Sequence, residues 1–222
     1  MLTPDPNGYF ITGSDTDVGK TYIGCQVVTQ LRNAGLHLET RKPAESGCRE
    51  GENGELLTHD AAALHAANGE REPLERVNPF RFRAALAPHR AARLEGQRVE
   101  MRALIDACAQ TEADSLLIVE GAGGFYSPLA EDGLNADLAS ALQLPAIIVV
   151  ADRIGAVNQS LMTWQAVTSR HLRVAAIVLN QVAPQEDPDM DNAADLAAHC
   201  DVPIFCCEHG GKLPPVFATV DG

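Results

Sequence analysis

The feature that most constrains this chain is a set of short β-prone runs at residues 9–12, 38–42, 116–119, 146–150, 175–179 and 204–205, several of them apolar throughout. A strand without apolar/polar alternation has no face to give to water and must be covered on both sides. That pattern predicts an α/β fold with a mainly parallel central sheet flanked by helices on both faces, rather than a sandwich. The intervening stretches 58–67, 98–110, 135–142 and 158–170 have the length and composition of helices. Polar and glycine-rich breaks at 46–54, 121–124 and 184–188 follow predicted strands, and none is long enough to be a linker. A chain of 222 residues is therefore expected to form one domain over 1–222. In open sheets of this kind ligands collect outside the carboxyl ends of the strands, so residues there are the first candidates for a site.

The first of those ends carries the clearest motif. Residues 9–12 run into Gly13-Ser14-Asp15-Thr16-Asp17-Val18-Gly19-Lys20-Thr21, and a helical pattern follows at 22–32. Strand, glycine loop and helix N-terminus together make a phosphate cradle. Glycines let backbone N–H groups turn toward phosphate oxygens, Lys20 reaches the terminal phosphates, and the Thr21 hydroxyl is a Mg²⁺ ligand. The common motif has about four residues between its glycines, whereas Asp15 and Thr16 belong to a longer spacer here. The competing reading, a Gly-Lys-Thr in a surface turn, does not explain the placement at a strand–helix junction. An ATP-using, P-loop NTPase-type fold is expected.

Two acidic positions suit a metal. The run 116–119 ends in Glu120, followed by Gly121-Ala122-Gly123-Gly124. A carboxylate at a buried strand end beside a phosphate loop is placed to hold Mg²⁺, and the glycines permit close approach of the transferring group. Asp60 opens the predicted helix at 58–67, where it serves either as a residue favoured at helix starts or as a further ligand.

Charge and cysteine usage narrow the partners. The formal net charge is -13, with no local basic cluster to overcome it, which disfavours nucleic acid and anionic membranes. The longest apolar stretches, 144–151 and 174–179, fall far short of the roughly 18 residues of a membrane span. Cys25, Cys48, Cys108, Cys200, Cys206 and Cys207 show no CxxC pair or framework spacing, so reduced thiols in a cytoplasmic protein are expected. Cys206 and Cys207 read as two small buried hydrophobes at a strand end.

Taken together, the loop at 13–21, Arg41-Lys42-Pro43-Ala44-Glu45-Ser46-Gly47, Val77-Asn78-Pro79-Phe80 and Val119-Glu120-Gly121-Ala122-Gly123-Gly124 closely resemble the dethiobiotin synthetase family. The resemblance runs over residues 9–180, and the long loop spacing is that family's own. It implies an ATP- and Mg²⁺-dependent ring closure in biotin biosynthesis, in which 7,8-diaminononanoate, CO2 and ATP give dethiobiotin, ADP and phosphate. The resemblance further assigns Lys42 and Lys20 to catalysis, and Thr21, Asp60 and Glu120 to Mg²⁺. Nucleotide contacts are implied for Asp17, Val18, Gly19, Lys20, Thr21, Tyr22, Asp60, Glu120, Gly121, Ala122, Gly123, Asn180 and Gln181. Thr16 and Ser46 match substrate contacts, and Asn158 matches a residue that meets the substrate carboxylate from across a homodimer interface.

The chain departs from the family pattern in places. Asp17 replaces a glutamate, Ala87 stands where a serine is usual, and Glu45 occupies a variable position. Past residue 205 the family's base-packing segment gives way to Cys206-Cys207-Glu208-His209-Gly210-Gly211. Two other readings share the loop: a partition-type ATPase switch, disfavoured because no lysine stands early in the loop, and an ATP-dependent amidoligase with a different substrate.

Overall fold

Neighbouring residues of the first strand, Phe10 and Ile11, are both fully buried and belong to different apolar clusters, one on each side of a sheet. The same division holds for Ile147 and Ile148, and for Ile118 and Val119. Continuous apolar runs thus supply two cores at once, which is the reason this sequence forms a three-layer structure.

The computed structural model describes residues 1–109, 112, 114–184, 187 and 189–217. The described chain runs β1 (Gly8–Gly13), α1 (Lys20–Asn33), β2 (Leu38–Arg41), β3 (Ala44–Ser46), β4 (Arg49–Glu50), β5 (Leu56–Leu57), α2 (Asp60–Ala67), α3 (Leu74–Val77), β6 (Phe80–Phe82), α4 (Pro88–Leu94) and α5 (Met101–Ala107). It continues through β7 (Leu116–Gly124), β8 (Pro128–Ala130), β9 (Gly133–Leu134), α6 (Asn135–Leu142), β10 (Ala146–Ala151), α7 (Ala156–Ser169), β11 (Val174–Asn180), α8 (Asn192–Ala197) and β12 (Ile204–Cys207). The expected strands are those of one six-stranded parallel sheet in the order β12-β11-β10-β1-β7-β2. One cluster brings Val27, Leu31 and Leu64 of α1 and α2, with Leu213 and Phe217 of the last described segment, onto one face. The other brings Leu104, Leu138, Val167 and Leu196 of α5 to α8 onto the opposite face.

Several boundaries differ from expectation for local reasons. The glycines at 121–124 are not a loop but the end of β7, where Gly124 stands beside Gly13 of β1. Helix α5 starts at Met101, not at 98, because Val99 is buried and its carbonyl accepts from Glu131 N at 2.8 Å. Its expected end, Gln110, lies outside the described residues, as do Gln185, Glu186 and Pro188 of the expected break at 184–188. The unexpected α8 is capped by Asp191, whose carboxylate accepts from Ala194 N at 3.0 Å. Cys207 is buried as expected, but Cys206 is exposed: the two point to opposite faces of β12, the edge strand.

Candidate active site

The phosphate loop leaves the carboxyl end of β1 and turns into α1 through two left-handed residues, Asp17 (φ 58°) and Gly19 (φ 84°). Turns of this kind bring successive N–H groups to bear on one point. Gly19 is there for a second reason: a Cβ at this position would lie 2.2 Å from Asn180 Nδ2. That amide, at the end of β11, donates to Val18 O at 3.0 Å and so ties the loop to the sheet. Lys20, buried at the first position of α1, donates to Asp15 O at 2.8 Å and spans the loop from beneath.

Beside the loop lies a compact charge cluster. Lys42 Nζ donates to Glu120 Oε1 at 2.6 Å and Gly121 O at 3.0 Å, and stands 3.1 Å from Asp60 Oδ2, so its three protons are matched by three acceptors. Thr21 Oγ1 donates to the same Glu120 oxygen at 2.8 Å. Glu120 is fully buried and its other oxygen, Oε2, has no hydrogen-bond partner. Helix α1 passes directly over it at Gly24, where a Cβ would come within 3.3 Å of Oε2.

Burial works against the Lys42 ammonium, but the Glu120 and Asp60 charges outweigh it and raise its pKa. Burial also works against the Asp60 carboxylate, and Lys42 more than offsets this, holding Asp60 below its ordinary value. Glu120 is pushed above its ordinary value by burial, with Lys42 pulling it back. Lys20 is lowered to about 8, first by burial and then by Lys42, with Glu120 and Asp60 opposing.

With Glu120 buried behind them, Lys20, Thr21, Lys42 and Asp60 line a cleft of about 820 Å³. Its phosphate end is lined by Thr16, Asp17, Gly19, Lys20, Thr21 and Tyr22, its middle by Lys42, Asp60, Ala122 and Gly123, and its far wall by Ser46 with the apolar Ala85, Leu86, Ala87, Pro88 and Pro128. The Ser46 hydroxyl donates to Leu86 O at 2.6 Å, which fixes that wall to β3. With an alanine at 87, the wall presents a methyl group there.

Other predicted residues act from outside the lining. Val18 is buried under the loop. Gln181 N donates to Cys207 O at 2.9 Å, and its side-chain oxygen accepts from His209 N at 3.3 Å, so the segment 206–211 is pinned beside it. Asn158 is not brought to the cleft; it is exposed on the first turn of α7, with its amide 3.5 Å from Met162 Sδ.

Three residues without an assigned role in the sequence support the site. Asn78 is fully buried and its amide donates to the Lys42 carbonyl, while Lys42 N donates to Val77 O at 2.8 Å; this is what the segment 77–80 does for the site. Asn135, also fully buried, accepts from Ala122 N at 2.9 Å and donates to Ala122 O at 2.6 Å, which clamps the glycine run. Glu45 caps the start of α2. A buried asparagine has no periodic signal, and the partners of Glu45 are 14 to 16 residues away, so only the folded chain reveals them.

The oxygen set Thr21, Asp60 and Glu120 suits a hard divalent cation, and the unpartnered Glu120 Oε2 leaves coordinating capacity. A polyphosphate laid along the loop would meet these carboxylates, so a cation between them fits the electrostatics.

The chain is similar to known proteins along most of its length. Residues 7–208 match a family model described as an AAA domain. The chain is 43% identical over 192 residues to the ATP-dependent dethiobiotin synthetase of Anaeromyxobacter dehalogenans, covering 86% of this chain and 84% of that protein. It is 41% identical over 212 residues to the enzyme of the same name from Phenylobacterium zucineum, covering 91% and 89%. The corresponding protein of Ruthia magnifica is 37% identical over 197 residues, covering 89% of each. Among solved structures, the signal recognition particle receptor FtsY from Elizabethkingia anophelis superposes with a TM-score of 0.50 at 14% identity, over 92% of this chain and 59% of that one. At that identity the likeness is one of fold.

Proposed function

The chain belongs to the ATP-dependent dethiobiotin synthetase family, and from that premise we propose that it closes the ureido ring of dethiobiotin from 7,8-diaminononanoate, CO2 and ATP. The observation that carries this reading is the position of Lys42. Its ammonium stands between the phosphate loop and an apolar wall within one cleft, where a phosphoryl donor and an aliphatic diamine would meet.

The reaction has three steps. An amine of the substrate adds to CO2 and loses a proton, giving a carbamate. A carbamate oxygen attacks the γ-phosphorus, the bond to the β-γ bridging oxygen breaks, and a carbamic-phosphoric anhydride and ADP form. The second amine then adds to the carbamate carbon, loses a proton and expels phosphate, which closes the ring.

The second step brings two anions together. Lys20 holds the terminal phosphates, and Lys42 turns from Glu120 and Asp60 toward the carbamate and the moving phosphoryl group. Thr16 and Ser46 position the carbamate and the substrate chain. Asp17 to Tyr22 and Gly121 to Gly123 line the nucleotide, with Asn180 and Gln181 toward the base. Thr21, Asp60 and Glu120 would hold Mg²⁺, which when bound neutralises charge on the β- and γ-phosphates.

A second copy of the chain completes the reading. Asn158 lies outside the cleft, and Ile154 and Met162 on the same face of the chain are 88% and 62% exposed. A homodimer that buries this face would bring Asn158 to a partner's substrate carboxylate. We place the enzyme in the cytoplasm, where its unpaired thiols remain reduced.

Phosphate release from MgATP tests the reading, with diaminononanoate and bicarbonate added singly and together. Release is expected only with both. Release that ignores the diamine would sink the proposal. Lys42→Ala is expected to abolish release while leaving most ATP binding in place.

A further inference from the structure

Glu45 is a buried carboxylate whose side-chain hydrogen bonds come from backbone N–H groups. It is 6% exposed, and its partners are N–H groups of another element. Oε1 accepts from His59 N at 2.6 Å and Asp60 N at 3.0 Å, and Oε2 accepts from Ala61 N at 2.9 Å. These are donors that the first turn of α2 leaves without intrahelical partners, at the positive end of its dipole. His59, immediately before the helix, makes no side-chain cap of its own. The cap of α2 therefore comes from β3.

That choice of cap joins two parts of the site. Asp60 is the first residue of α2, and its carboxylate meets Lys42, which lies three residues before Glu45 on the same stretch of chain. Between Glu45 and Asp60 the chain makes the hairpin β4–β5, whose residues are largely exposed, so the hairpin does not set where the helix begins. Two links hold the same pair of elements: Lys42 to the Asp60 side chain, and Glu45 to the Asp60 backbone. The second fixes the height at which the first is made. Glu45 also borders the cleft, so it acts at the edge of the site rather than deep in the core.

We infer that Glu45 is a positioning residue, which sets the Asp60 carboxylate in register with Thr21 and Glu120 for the divalent cation by capping α2 from the strand that follows Lys42. The inference rests on the reading of Asp60 as a metal ligand. Partners that orient ligands from behind are worth a large share of metal affinity.

The test is Mn²⁺ affinity in the presence of ADP, followed by electron paramagnetic resonance, alongside ADP affinity without metal. Glu45→Ala is expected to weaken Mn²⁺ binding roughly tenfold or more, with metal-free ADP binding, which the phosphate loop carries, unchanged. Glu45→Gln keeps the oxygen that serves two of the three N–H groups but loses the charge and turns an amide NH2 toward Ala61 N, so it should recover only part of the affinity that Glu45→Ala loses. In an Asp60→Asn background, Glu45→Ala should add no further loss.

Wild-type Mn²⁺ affinity in Glu45→Ala, an equal loss of metal-free ADP binding, or losses that simply add to those of Asp60→Asn would overturn the positioning role. Should Glu45→Ala fail to fold, Glu45→Asp, which keeps the charge but shortens its reach, is expected to lose Mn²⁺ affinity, and wild-type affinity there overturns the role. Unchanged Mn²⁺ binding in Asp60→Asn overturns the metal reading of Asp60 and the inference with it, whereas a loss in Asp60→Asn that Glu45→Ala does not share overturns the inference alone.

Discussion

Two buried lysines share this site and stand in opposite electrostatic situations. Lys42 has two carboxylates against it and is a secure cation, whereas Lys20 has a backbone carbonyl for a partner and is lowered to about 8 by burial and by Lys42. Nucleotide phosphates would supply the anion that Lys20 lacks and raise its pKa again. Binding should therefore take up a fraction of a proton once the pH reaches about 8, and affinity should fall as pH rises further. The sign for folding runs the other way. Above about 8 the ligand-free fold has released a proton that the unfolded chain keeps up to its ordinary 10.5, so this group's contribution to stability improves with pH across that window. Calorimetry of ATP binding at pH 8.5 in buffers of different ionisation enthalpy measures the uptake. Lys20→Met should abolish it and weaken binding by about 1.5 to 3 kcal/mol, the range for a charge-assisted hydrogen bond. Uptake that persists in Lys20→Met would assign the proton to another group.

At the scale of the element, the phosphate loop depends on a strand distant in sequence. Gly19 combines a left-handed backbone with contact against the Asn180 amide, which holds Val18 O. Gly19→Ala should cost roughly 1 to 2 kcal/mol for the left-handed conformation and also displace Asn180, so ATP binding should fail even where the fold survives. Asn180→Ala relieves the contact but frees the loop, and should weaken ATP binding less. Titration of ATP against both variants checks the order, and wild-type affinity in Gly19→Ala would refute the account. The loop itself was legible because its glycines, lysine and threonine are adjacent in sequence. Its tie to β11 was not: nothing near Asn180 in the chain announces that its amide nitrogen donates to the loop at Val18 O. Glu45, Asn78 and Asn135 escaped for the same reason, since a side chain's partner across the fold leaves no mark on its neighbours in the chain.

Across the whole molecule, the last described residues serve as a strap. Gln26 and Gln30, one turn apart on α1, bind this segment: Gln26 Oε1 accepts from Leu213 N at 2.5 Å, Gln30 Oε1 accepts from Val216 N at 2.9 Å, and the Tyr22 hydroxyl reaches Gly211 O. Phe217 lies against Tyr9 of β1, with ring centroids 5.3 Å apart. The helix that leaves the phosphate loop is thus bound along its length to the segment 211–217. Phe217→Ala should cost about 3 kcal/mol, the low end for truncating a buried phenylalanine, and thermal unfolding measures it. A loss under about 0.5 kcal/mol, the scale of ordinary surface substitutions, would show that the strap is not part of the core.

The sequence by itself determined the parallel sheet, because continuous apolar runs demand two covered faces, and it determined the phosphate loop, because the loop's glycines, lysine and threonine are neighbours along the backbone. Tertiary structure alone decided which carboxylates face Lys42, what caps α2, what clamps the glycine run and where Asn158 lies. Those depend on distances between segments up to about 160 residues apart, such as Val18 and Asn180, and such distances exist only once the layers have packed.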